Sequence, residues 1–325
     1  MDHSTSAKSE ANGLMIQLNG VSRLYGSVIG VNDLNLEIPA GAYGLVGPNG
    51  SGKTTFINLL IGQLRPTIGS VKVLGVDPWR RRKVLRRIGL CPATDVLYPN
   101  VTARQWVQYQ VRLHGFSRME SKQLALEALD YVGMTNAMDR EMGTYSLGMR
   151  QRTKIAQAIA HNPELLILDE PYNGLDPVGR HTMTQLLKRW ADEGRSILFA
   201  SHVLHEIEAV TSSFLLIHGG RLLASGTAEE IESILAEAPQ EVSLSGPDVA
   251  RLIHKLAEVS WVDSLQLTDD RKRLKIGLRD PAKLYKQLAK WISEDRLQID
   301  RFQTADGDLT ALFESLLRHH RGETQ

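Results

Sequence analysis

The chain has 325 residues, 42% of them hydrophobic, with 38 Lys and Arg against 37 Asp and Glu. Such a composition fits an ordinary globular protein of about two domains, and a formal net charge of +1 gives no overall attraction to nucleic acid. Cys91 is the sole cysteine, which excludes an internal disulfide and fits a reducing compartment.

The first 13 residues are polar and have no apolar segment of the signal-peptide kind. Apolar runs elsewhere fall short of the ~20 residues that span a bilayer, so any work at a membrane requires a separate membrane partner. Residues 14–40 alternate apolar and polar side chains (MIQLNGV, VNDLNLEI), the spacing of half-exposed antiparallel strands. A buried strand ending at Leu45 and Val46 then meets GPNGSGKT, followed by a helical stretch from Thr55 to Leu60. Strand, glycine loop and helix in that order are the setting a phosphate-binding loop needs. Gly47, Pro48, Asn49, Gly50, Ser51, Gly52, Lys53, Thr54 and Thr55 are therefore expected to bind the phosphates of a nucleotide. The glycines let backbone N–H groups close around phosphate, and the helix aims its positive end at the same anion. Lys53 reaches the β- and γ-phosphates, and the Thr54 hydroxyl ligates Mg²⁺.

Residues 69–75 read as one more strand beside the first two. The basic run Arg80, Arg81, Arg82, Lys83, Arg86 and Arg87 reads as a solvated helix face, with an anionic lipid or membrane-subunit contact as the alternative. Helical spacing dominates from about 97 to 162. ELLILDE, at 164–170, is a buried strand whose carboxyl end presents Asp169, suited to hold Mg²⁺ through a water, and Glu170, suited to handle the attacking water. SILFASH is another apolar strand, ending near His202, and residues 214–228 read as two short strands joined by His218, Gly219 and Gly220, with a helix starting at Thr227.

Beyond about 239 the motifs stop and the order becomes strand, helix, hairpin, helix, strand, with the last strand at LQIDRF. That order suggests a small ferredoxin-like α+β module. An amphipathic helix, LTALFESLLRHH, is expected after it, with His319 and His320 as part of a solvated tail.

Five motifs in order (GPNGSGKT, YSLGMRQR, ILDE, NGLDP and the strand ending at His202) resemble the ATP-binding subunit of ABC transporters, over about residues 14–235. The resemblance implies an α/β P-loop NTPase fold with a parallel core sheet, an antiparallel β subdomain and a helical subdomain. It divides the chain into a short N-terminus (1–13), an ATP-binding domain (14–237, with its helical subdomain at about 97–162) and a C-terminal accessory domain (238–325). It implies that Tyr25 stacks on adenine, and that Ser146, Gly148 and Met149 form the signature that meets ATP held by a second copy. Asp176 belongs to the loop joining the two sites, and Glu170 and His202 act in catalysis. ATP and Mg²⁺ are the implied ligands, and a homodimer or heterodimer working with an integral membrane permease is the implied assembly. No nucleic acid partner is implied, and the expected location is the cytoplasmic face of the inner membrane.

Two departures stand out. The signature reads Ser146-Leu147-Gly148-Met149 where the family's commonest form has two glycines and then glutamine, a variant that resembles the subfamily driving ABC-2 type exporters. Ala93 stands where the family usually carries a glutamine that touches Mg²⁺ and water, with Thr94 or Asp95 as substitutes. The resemblance therefore implies the ATPase of an exporter. A soluble non-transport ABC ATPase, or an ATP-gated scaffold of low turnover, are the alternatives.

Overall fold

In the computed structural model, described for residues 13–94, 98–227, 230, 240–268, 270–278 and 281–304, the chain divides into two compact units, Met1–Gly226 and Thr227–Gln325. The first unit begins with strands β1 (Leu14–Tyr25) and β2 (Val28–Pro39), which pair antiparallel as their alternation predicts. After β3 (Ala42–Val46), the glycine loop and α1 (Lys53–Leu60), strand β4 (Ile68–Val73) returns to pair with β1. The result is a three-stranded sheet in the order β2-β1-β4.

The second sheet of this unit carries the chemistry. Its strands β5 (Ile88–Cys91), β6 (Leu165–Asp169), β7 (Ser196–Ser201), β8 (Ser213–His218) and β9 (Arg221–Thr227) join β3 in the order β5-β6-β7-β3-β8-β9. From β5 to β8 each neighbouring pair is parallel. Strands β6 and β7 are buried along their whole length, which explains their unbroken apolar sequences. Helix α1 sits between the two sheets, where Phe56, Ile57, Leu59 and Leu60 complete one core with Ile16, Val31, Leu45, Ile167 and Leu198. Burying a side chain such as Phe56 contributes about 1.5–3 kcal/mol.

The helical stretch resolves into α2 (Ala103–Leu113), α3 (Arg118–Tyr131) and α4 (Leu147–Ile159). Thr102 with Gln105 and Ser117 with Glu120 form capping boxes that start the first two. Helix α5 (Pro177–Asp192) follows β6, and the short α6 (Leu204–Glu208) follows β7.

The basic run is a solvated helical segment as expected: Arg82–Arg87 is a 3-10 helix, and Arg80, Arg81, Arg82, Lys83, Arg86 and Arg87 are all exposed. Arg82 lies over the Trp79 ring, Arg80 pairs with Asp77, and Arg87 pairs with Glu164 at the start of β6.

The second unit contains β10 (Gln240–Ser245), α7 (Leu252–Ala257), β11 (Val262–Leu267), β12 (Arg273–Leu278), α8 (Pro281–Asp295) and β13 (Arg301–Thr304). Its sheet runs β11-β12-β10-β13 with every pair antiparallel, the ferredoxin-like order. The last strand begins at Arg301, later than LQIDRF suggests: Gln298 is engaged with Asp248, its N–H donating to Asp248 Oδ2 at 2.9 Å, before the ladder with β10 starts. Thr227 and Glu230 exchange backbone and side-chain bonds as a capping box, agreeing with a helix start there. The expected helix over 309–320, with His319 and His320, and the candidate substitute Asp95 lie outside the described residues.

Candidate functional site

Strands β3, β6 and β7 end side by side, so the loops that leave them converge at one edge of the sheet. The loop after β3 is shaped by its glycines. A Cβ on Gly47 would collide with the Ile217 carbonyl oxygen and the Ser51 hydroxyl. Gly52 has φ 110°, caps α1, and a Cβ there would come within 2.6 Å of the Gly30 carbonyl oxygen. Only glycine fits both positions, and the backbone is thereby free to wrap an anion at the start of α1.

Lys53 Nζ donates to the carbonyl oxygens of Gly47 at 2.6 Å and Pro48 at 3.3 Å, and lies 3.4 Å from Glu170 Oε1. Ser51 Oγ is buried without a hydrogen-bond partner among the described residues. A wrapped loop with a buried cation and an unpaired hydroxyl matches the donor set that polyphosphate needs.

Thr54 stands beside Lys53 at the start of α1, and its hydroxyl acts on the carboxylate of Asp169, which ends β6. Burial, and then the charge of Glu170, push the Asp169 carboxyl above the ordinary range, against the pull of Lys53, Thr54 and Lys154. A buried carboxylate with a hydroxyl to help is an oxygen donor set that suits Mg²⁺. Glu170, the next residue, has φ 50°, and its N–H donates to Ala200 O at 2.9 Å. Left-handed backbone in a residue with a Cβ costs on the order of 1 kcal/mol. It turns the side chain so that Glu170 Oε2 lies 2.8 Å from His202 Nδ1 while Oε1 faces Lys53.

His202 follows β7, and the turn that carries it is braced from below. Ser201 Oγ donates to Glu206 Oε2 at 2.7 Å and accepts from Val203 N at 3.1 Å. Arg180 of α5 pairs with the other Glu206 oxygen at 2.6 Å. None of these bracing residues was singled out from sequence; the acid in HVLHEIE is the signal that could have marked one.

Tyr25 lies at the end of β1 with its hydroxyl 3.5 Å from Thr55 Oγ1 and Arg23 over its ring. Gly30 makes room for that ring, since a Cβ there would stand 2.6 Å from Tyr25 Cε2. Tyr25 is thus joined to the phosphate loop through Thr55.

The remaining expected residues form a separate group. Ser146 caps α4 by accepting from Met149 N at 3.3 Å. Leu147 stands against Gly174, and Gly148 faces Leu175. Asp176 caps α5 by accepting from Gly179 N at 2.7 Å, with Pro177 at the first helical position. Among the described residues the hydrogen bonds of Ser146, Gly148, Met149 and Asp176 run within their own helices, to Arg150, Arg152, Thr153, Gly179 and Arg180, and do not reach residues 47–55. The structure therefore brings together Lys53, Thr54, Asp169, Glu170 and His202, and sets the signature apart.

Comparison with known proteins accords with this geometry. The family described as ABC transporter matches residues 31–173. The bacitracin transport ATP-binding protein BcrA of Bacillus licheniformis is 39% identical over 212 residues, 64% of this chain and 68% of the relative. The chain belongs to the ABC transporter ATP-binding proteins. It is an ATPase, and ATP is its nucleotide. The daunorubicin/doxorubicin resistance ATP-binding protein DrrA of Streptomyces peucetius is 31% identical over 306 residues, covering 94% of this chain and 92% of the relative. Among solved structures, an ATP-binding subunit of an ABC transporter is 26% identical with a TM-score of 0.61, over 68% of this chain and 93% of that one. A dimeric bacterial ABC transporter cassette is 26% identical with a TM-score of 0.59, over 66% and 98%. These ABC folds bear out the P-loop α/β class expected from the motifs.

Proposed function

We infer that this ATPase energises export through a separate membrane permease and works as a dimer at the cytoplasmic face of the membrane. The observation that carries its chemistry is the Lys53–Glu170–His202 cluster at the ends of β3, β6 and β7. The export reading is supported by relatives named for bacitracin transport and drug resistance, the second matched along nearly its full length. Such names do not favour the soluble, non-transport alternative. Among the described residues no helix is long and apolar enough to cross a membrane, which is why a permease is invoked.

In this reading residues 47–55 grip the phosphates, and Tyr25 supports the base beside Thr55. Thr54 and Asp169 hold Mg²⁺, which supplies charge neutralisation to the β- and γ-phosphates when bound. Lys53 leaves the loop carbonyls for phosphate oxygens, freeing Glu170 to accept a proton from water. His202 orients the Glu170 carboxylate and offers an N–H toward the γ-phosphate. Ser146, Gly148 and Met149, at a helix N-terminus away from their own phosphate loop, meet the nucleotide held by the second copy.

Purification of the tagged chain from membranes tests the partner. A multi-span protein should co-purify and stimulate phosphate release in vesicles. Release that is vesicle-independent, with no such protein recovered, would oppose the export reading.

A further inference from the structure

Lys154 is the most unusual charge in the first unit. It lies in α4, one turn beyond the signature, and is only 1% exposed. Lysine is almost never buried without a charged partner. Yet among the described residues its ammonium makes a single hydrogen bond, Nζ donating to Ala93 O at 3.4 Å, and no carboxylate lies within ion-pair distance. An ammonium carries three donors, so two remain to be used. Gln151, one turn earlier on the same helix face, is also buried, and its Oε1 has no partner among the described residues. Ala93 follows β5, whose last residue, Cys91, pairs with Leu168 next to Asp169 on β6.

Taking an ammonium out of water with few hydrogen bonds costs free energy that an isosteric apolar side chain would avoid. Packing alone does not account for it. Its location does: it donates to the backbone at Ala93, two residues beyond Cys91, which pairs with Leu168 immediately before Asp169.

We propose that Lys154 is a positioning residue for hydrolysis, holding the segment at Ala93 against the signature helix and turning its unused donors toward oxygens of the Asp169 corner. It serves from α4 the purpose that a glutamine at 93 would serve from the loop. Because lysine only donates, it supplies charge and hydrogen bonds to water or phosphate and does not ligate the metal. The inference rests on the assignment of Asp169 and Glu170 to the hydrolytic site.

The test uses the full-length chain with Lys154→Met, Ala93→Gln, the double variant and Glu170→Gln. Lys154→Met should melt at or above the wild-type temperature without nucleotide, and should bind ATP with Mg²⁺ within about threefold of wild type. Its kcat should fall roughly 10–100-fold, the size of effect seen when outer-shell partners are removed. Adding Ala93→Gln should restore most of that loss. Unchanged kcat in Lys154→Met overturns the proposal. So does a joint loss of melting temperature and ATP binding, which would make Lys154 a structural residue, and so does the absence of rescue by Ala93→Gln. If instead wild type releases phosphate no faster than Glu170→Gln, the assignment of the site fails first, independently of Lys154.

Discussion

Glu170 and His202 face each other at 2.8 Å, carboxylate oxygen to imidazole Nδ1, from the ends of neighbouring parallel strands. The same carboxylate lies 3.4 Å from Lys53, so one acid is held between a ring nitrogen and an ammonium. With phosphate present to draw Lys53 away, the imidazole contact keeps the acid aimed. Replacing Glu170 with Gln preserves shape and hydrogen bonding to His202 but removes the base. Phosphate release should fall about 10²–10⁴-fold with ATP binding retained. Steady-state phosphate assays and equilibrium binding of ATP check both parts, and unchanged release would remove Glu170 from the mechanism.

The brace under His202 gives a weaker and separable effect. Ser201→Ala removes a buried bond to Glu206 and the acceptor for Val203 N, leaving Glu206 with Arg180 alone. Unfolding in urea should show a loss of about 1–3 kcal/mol. Turnover should fall less than in Glu170→Gln, because His202 and Glu170 themselves remain. Equal stability in the two proteins would show that the brace contributes nothing.

Glycines of the phosphate loop divide by what surrounds them. At Gly47 a methyl group would strike the Ile217 backbone, so Gly47→Ala must displace the loop and should abolish ATP binding. At Gly50 nothing lies within 4 Å, and only its φ of 79° opposes a side chain. Gly50→Ala should therefore cost on the order of 1 kcal/mol of stability and keep most of the affinity. Fluorescent-ATP titration and melting of the two variants distinguish them; equal losses would contradict the packing argument.

The difference between these glycines was not legible in the motif, which treats the loop as one string. Lys53, Thr54 and Asp169 were legible because strand, loop and helix are local in sequence, and local order suffices to place them. The left-handed φ of Glu170 was not, since it arises from the Ala200 carbonyl that receives its N–H from the neighbouring strand. Lys154 was hidden for a like reason. It falls on the buried stripe of α4 with Gln151 and Ala158, and only the packing of that helix on β5 reveals where its charge goes. In the second unit the strand–helix order carried the topology. Apolar alternation at LQIDRF instead marked the buried Leu297 before the ladder that begins at Arg301.

The separation of the signature from its own phosphate loop makes a complementation test possible. Lys53→Ala should be inactive through its own loop, and Gly148→Asp through repulsion of phosphate at the helix N-terminus. In a mixed dimer one site joins an intact loop to an intact signature. A one-to-one mixture should regain about a quarter of wild-type turnover, the share of intact sites in randomly paired dimers. No recovery after subunit exchange would argue that each copy completes its own site.

A pH dependence is built into the core away from the site. His161 is buried, donates from Nε2 to Ile88 O at 3.1 Å, and stacks on His114 with ring centroids 3.8 Å apart. Burial, and then the charge of His114, push the His161 imidazole down to about 4, against the Ile88 hydrogen bond. His114 is itself lowered, by burial and then by Arg86. The folded protein thus keeps His161 neutral where the unfolded chain takes up a proton near 6.5. Its contribution to stability is complete above pH 6.5 and is lost as pH falls toward 4, to a total of about 3 kcal/mol. His161→Phe keeps a ring against His114 but cannot titrate. Urea unfolding at pH 7, 6, 5 and 4.5 should show a shallower decline for the variant than for the wild type, and parallel declines would mean that His161 protonates alike in both states.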